Sequence, residues 1–204
     1  MEPLLAFAAA LVSLRLAAGL ARRWRARRAP ELAAWAASLV SYALASGALA
    51  WGAAAGWNDA SFRVYYVCGA LLTAPLLGAG SLLFAGRRWA APLAFVYVGF
   101  AVGVGIAVEL TSPVHETSIP GAQDHLAFLP ARLLAILANS LGTLAVVTVV
   151  VLTFSRRPIG NAFILAGVAS AAAGSAVAGL GVAETSLFIA LGALLLYVGF
   201  LRRT

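Results

Sequence analysis

Two histidines fall within one stretch of the chain, each beside a carboxylate: His115–Glu116 and Asp124–His125. Imidazole paired with carboxylate can bind a metal ion or act as a general base. Pro113, Pro120 and Gly121 bend the intervening chain, which lets the four groups converge on one ion. Their spacing matches neither the H-E-x-x-H pattern nor a Cys/His zinc framework, so a solvated loop is the competing reading. A second charged set, Arg63, Glu109, Arg132 and Glu184, lies at the ends of apolar runs on the same side as that loop. Ionisable groups at membrane depth are functional candidates, and a short Glu cannot snorkel far. At least one acid–Arg pair among the four is therefore expected to close that end of the molecule.

Deeper in the apolar runs only neutral polar groups occur: Ser38, Tyr42 and Ser46, then Thr73, then Asn139, Ser140 and Thr143. A carboxylate relay for proton pumping is missing. No phosphate loop, nucleophile elbow or dinucleotide fingerprint is present. Lysine is absent altogether, which removes Schiff-base chemistry at a side chain. The lone cysteine, Cys68, has no partner for a disulfide.

The elements that must position these groups follow from composition. The chain has 204 residues, of which 63% are apolar and 10% charged, with mean hydropathy +0.97. A soluble domain carries about 45–50% apolar and about 25% charged residues, so a soluble globule is excluded, and so is disorder. Seven apolar runs, each near the length of about 20 residues that a spanning helix needs, cover residues 3–21, 31–55, 62–85, 89–110, 130–154, 161–180 and 185–201. The reading is an all-α polytopic membrane protein, a single domain over 1–204 with seven transmembrane helices and one long loop, 111–129. Eleven arginines lie in "RRWRARR" (22–28), at 87–88, at 156–157 and at 202–203, against Arg63 and Arg132 on the other side. The positive-inside rule then puts the N-terminus outside and the C-terminus in the cytoplasm. A basic stripe interleaved with stacking aromatics is missing, so nucleic acid is not a partner; the bilayer is.

The first run carries Glu2 ahead of it and arginines after it, the reverse of a signal peptide, and reads as a retained anchor. Arg15 within it snorkels or forms a buried ion pair. Small residues at four-residue spacing, Ala166, Ser170, Gly174 and Ala178 in run six and Gly99 with Gly103 in run four, mark helix–helix seams, within the chain or in an oligomer. "GALL" at 69–72 and again at 192–195 fits a three-plus-one-plus-three repeat, and equally fits chance.

Seven helices with this orientation, together with "FRVYYVCGALLTAPLL" in run three and "ETSLFIALGALLL" in run seven, resemble the microbial (type I) rhodopsins. Thr73, Pro75, Leu76 and Leu77 match the threonine–proline part of that family's third helix, and Glu184 with Ser186 match its seventh. Gly69 stands in the register of the counterion carboxylate, Phe188 stands where the retinal-linking lysine would be, and the sixth-helix aromatic set is missing. The chain is also similar overall to seven-helix membrane proteins of high-GC bacteria. The resemblance implies a rhodopsin-like bundle in a bacterial cytoplasmic membrane that cannot hold retinal covalently.

The leading expectation is a non-enzymatic bundle that binds an apolar small molecule, such as a lipid or polyene held non-covalently, or serves as a sensor or accessory subunit. Its pocket candidates are Thr73, Pro75, Asn139, Ser140, Ser170, Gly174 and Phe188, among runs three, five, six and seven. A homo-oligomer or larger membrane complex is compatible with it. The second expectation is a facilitative transporter or channel for a small neutral solute, lined by Ser38, Thr73, Asn139 and Ser170. The third is a metal-binding activity on the outer loop.

Overall fold

Links of two, three and five residues between the first four long apolar segments leave those helices little choice but to lie side by side and antiparallel. The computed structural model describes residues 2–156, 158–176 and 182–201, with the side chains at 2, 171–186, 189–190, 193 and 200–201 excepted. Its helices are α1 (Glu2–Arg27), α2 (Pro30–Ala55), α3 (Asp59–Phe84), α4 (Ala90–Ala107), the single turn α5 (Ala122–His125), α6 (Phe128–Arg156), α7 (Pro158–Ala176) and α8 (Val182–Leu201). The described residues form no strand, only one antiparallel bridge between Leu110 and Leu126. Among the described residues, five helices, α1, α2, α3, α4 and α6, are long and apolar enough to cross a membrane.

Local chemistry explains where the helices begin and end. α1 runs beyond residue 21 through the arginine cluster, because arginine is a good helix former and nothing there interrupts the backbone. Arg28, at φ 53°, turns the chain, and Pro30 starts α2 with Glu31 in its first turn. Gly56 ends α2, and Asn58 opens α3 through a reciprocal capping box with Ser61. Gly86, at φ 82°, makes the tight turn toward α4.

Six long helices pack in a closed order, α1 on α2, α2 on α3, α3 on α6, α6 on α7, α7 on α8 and α8 back on α1, while α4 stands outside against α3. The third helix of each three-helix group thus meets the first of the other. Toward the arginine-rich end, Leu16, Leu20, Trp35, Leu39, Leu77, Val146, Val150, Ile164 and Leu196 build one core from all six. Toward the opposite end, Leu49, Trp57, Phe62, Tyr66, Leu71, Ala101 and Ala135 form a second core, which loop residues Val114 and Leu126 cover. The outward faces are strongly apolar, with Phe95 81% and Ile106 75% exposed on α4, a surface that water would not tolerate and acyl chains would.

The glycine seams lie elsewhere than the four-residue stripes suggest. α3 and α6 touch backbone to backbone: a Cβ added at Gly142 would sit 2.5 Å from the Ala74 carbonyl oxygen, and one at Gly78 would sit 2.8 Å from Gly142 Cα. On α7 and α8, Gly167 and Gly199 make the close approaches, against Gly192 and Gly160 respectively. Gly99 and Gly103 face away from the bundle with nothing within 4 Å, and Ala166 is exposed, so the intramolecular seams expected at those three positions are not formed. Ser170 does lie in the α7–α8 seam, and Ala178 falls outside the described residues.

Candidate functional site

Pro75 dictates the middle of α3. A proline has no N–H and its ring crowds the carbonyl four residues back, and here the helix widens into a π-helical segment over Tyr66–Thr73 just before it. π-Turns are rare and recur at functional sites. In π register the Ala70 carbonyl would accept from residue 75, and in α register the Leu71 carbonyl would. Neither can, and each is served by a neighbouring helix: Asn139 Nδ2 of α6 donates to Ala70 O at 2.6 Å, and the Tyr97 hydroxyl of α4 donates to Leu71 O at 2.5 Å. Thr73 Oγ1 donates to Cys68 O at 2.7 Å, and Ser38 Oγ of α2 donates to Thr73 O at 2.7 Å. Four side chains from four helices thus satisfy four carbonyls of one segment.

One hydroxyl of this segment is left over. The Tyr66 side chain is 7% exposed, stacks on Phe62 at 6.0 Å, and its hydroxyl has no hydrogen-bond partner. The Tyr42 hydroxyl on α2 is likewise buried and unpartnered. A buried hydroxyl without a partner costs about 1–3 kcal/mol, so both are places where a bound polar atom would be stabilising.

The pocket candidates do not form one lining. Pro75 and Asn139 lie at the α3–α6 contact, whereas Thr73 bonds within α3 and to Ser38 of α2. Ser170 and Phe188 meet at the α7–α8 contact, where Ser170 Oγ donates to Phe188 O at 2.9 Å. Ser140 is exposed on the outer face of α6, and so is Thr143, which corrects their placement in the interior. The side-chain surroundings of Gly174 lie outside the described residues. Tyr97 and Tyr66 are not among the polar candidates that the sequence offers; the proline at 75 is the available signal, since it specifies which carbonyls need foreign donors.

The loop after α4 folds back as a cap over the second core. Asp59 Oδ1 accepts from Val114 N at 2.8 Å, and Trp57 N donates to Glu116 O at 2.9 Å. Thr111 N donates to His125 O at 2.9 Å. His125 is 4% exposed, edge-on to Phe62 at 5.5 Å, with Nε2 3.0 Å from Glu116 Oε1 and Nδ1 3.0 Å from Ser112 Oγ. His115 and Asp124 are exposed, and the described residues hold no group of three His, Cys, Asp or Glu able to bind a metal. The quartet does not converge, because the pairing across the loop selects Glu116 and leaves the neighbours in sequence pointing out.

The expected acid–Arg closure is not formed by Arg63, Glu109 or Arg132. Arg63 Nη1 donates to the carbonyls of Gly105 and Ile106 at 2.9 and 3.4 Å, capping the C-terminal end of α4, where a cation complements the helix dipole. Arg132 lies over the Phe128 ring at 5.8 Å, and Glu109 is exposed. The only side-chain contact between a carboxylate and a basic group among the described residues is His125–Glu116, charge-paired only if the imidazole is protonated. Arg15 is exposed on α1, so its buried-pair alternative also falls, and the Glu184 side chain lies outside the described residues. Compared with known proteins, the chain matches no family model, no curated protein and no solved structure.

Proposed function

We propose that the chain is a seven-span protein of a bacterial cytoplasmic membrane, with the capped end outside and the arginine end in the cytoplasm. In this reading it is a rhodopsin-like bundle without the retinal lysine that binds an apolar molecule carrying one polar group. The binding place is the region beside the π-segment of α3. α7 and α8 serve as the sixth and seventh spans. The observation that carries the reading is the buried, unpartnered Tyr66 hydroxyl in a segment four of whose carbonyls are already served by side chains. It points to a ligand that is mostly hydrocarbon and offers one hydrogen-bond acceptor. The transporter reading is weaker, since Ser38, Thr73, Asn139 and Ser170 each donate to a backbone carbonyl instead of facing a solute path.

All-trans-retinal, a polyene with a single carbonyl, is a suitable probe for protein in lipid nanodiscs. Saturable quenching of tryptophan fluorescence is expected, weakened roughly 5- to 10-fold by Tyr66→Phe, the worth of one hydrogen bond. Denaturation should release all of the retinal without an adduct at any side chain, because the chain has no lysine. Absence of saturable quenching, or equal affinity in Tyr66→Phe, would overturn the site.

A further inference from the structure

The cap holds a connected set of side chains that the interior site does not use. Glu116 as a carboxylate can only accept, so the 3.0 Å contact to His125 Nε2 places a proton on that nitrogen. In the neutral ring Nδ1 then carries the lone pair, 3.0 Å from Ser112 Oγ and 3.3 Å from the Ser112 carbonyl oxygen, of which only the hydroxyl can donate to it. Phe62, edge-on at 5.5 Å, and burial of the ring hold its plane in place. Ser112 is only half-buried, so its oxygen is reachable, and its proton has two acceptors within range, His125 Nδ1 and the Asp124 carbonyl at 3.0 Å. Hydroxyl, imidazole and carboxylate linked in series by hydrogen-bond distances are the arrangement that activates a serine, recognised by geometry and not by chain order.

We infer that Ser112, His125 and Glu116 form an acyl-transfer relay at the capped end, with Ser112 as nucleophile, His125 as base and Glu116 as the positioning residue. Ser112 Oγ bonds to an ester carbonyl carbon as its proton passes to His125 Nδ1. The ester C–O bond then breaks, and the leaving alkoxide takes that proton. Water, deprotonated by the same nitrogen, attacks the acyl-serine, releases the carboxylic acid and restores the hydroxyl. The substrate class is an ester with an apolar acyl chain, because Phe128 and Leu129, three and four residues past His125, are exposed at the end of a cap that covers an apolar core.

The test is labelling of the full chain, in nanodiscs, by a fluorophosphonate probe that reacts with activated serines. Wild type is expected to label at Ser112, identified by peptide mass, and Ser112→Ala is expected to abolish the label. His125→Gln should slow labelling by about 10²-fold or more. Glu116→Gln, which keeps a partner for Nε2–H but removes the charge, should slow it less and change its pH profile across the imidazole range. Thermal midpoints are measured in parallel, so that if His125→Gln unfolds the cap, Glu116→Gln decides. Failure of folded wild type to label, or labelling indifferent to both His125→Gln and Glu116→Gln, overturns the relay. Neither result bears on retinal binding at Tyr66.

Discussion

Asn139 shows how a residue that looks functional in sequence acquires a structural duty. An amide at membrane depth is costly unless bonded, and its Nδ2 is bonded to the Ala70 carbonyl that Pro75 cannot serve. Asn139→Leu should therefore lower stability by about 1 kcal/mol, within the range measured for polar contacts in membrane bundles. In a Pro75→Ala background the regained amide can serve the same segment, so the cost of Asn139→Leu should fall by at least half. A double-mutant cycle by chemical denaturation in detergent measures that coupling. Additive costs would show that Asn139 stabilises the bundle in some other way. Thr73 and Asn139 were visible in the sequence as polar atoms; their partners were not, because a carbonyl's need for a donor is set by helix register.

At the scale of the element, the same residue type plays opposite parts on α6 and α4. Gly142 lies against α3 with no room for a methyl group, so Gly142→Ala forces the two helices apart and should destabilise by about 1–3 kcal/mol. Gly103 faces open space, and Gly103→Ala should be neutral or stabilising by up to about 1 kcal/mol, the helix-propensity difference. Thermal unfolding of the two variants side by side checks the assignment, and the reverse order would mean that α4 packs by its Gly99–Gly103 face. Small-residue spacing at Gly99 and Gly103 suggested a seam with equal force to any other. Which face meets a neighbour depends on where the next helix lies, and four-residue spacing carries no such information.

For the whole molecule, the proposed orientation rests on the arginine asymmetry. In a Cys68→Ala background, which removes the one native thiol, Gln123→Cys should react with an impermeant maleimide added to intact cells. Arg156→Cys should react only after permeabilisation. The opposite pattern would invert the molecule and place the cap, with Ser112 and His125, in the cytoplasm.

Composition by itself determined the solvent of this protein and the class of its elements. With 63% apolar residues in runs near bilayer thickness, only helices that satisfy their own backbone are available. It also leaves no lysine side chain for a Schiff base, a property of the chain and not of its folding. Partners were decided by tertiary structure. Asn139 meets Ala70 across 69 residues, Arg63 meets Gly105 across 42, and Glu116 rather than Asp124 takes His125. Each pairing follows from helix order and loop closure, which are set by long-range packing of faces that are apolar all round and therefore nearly alike in sequence.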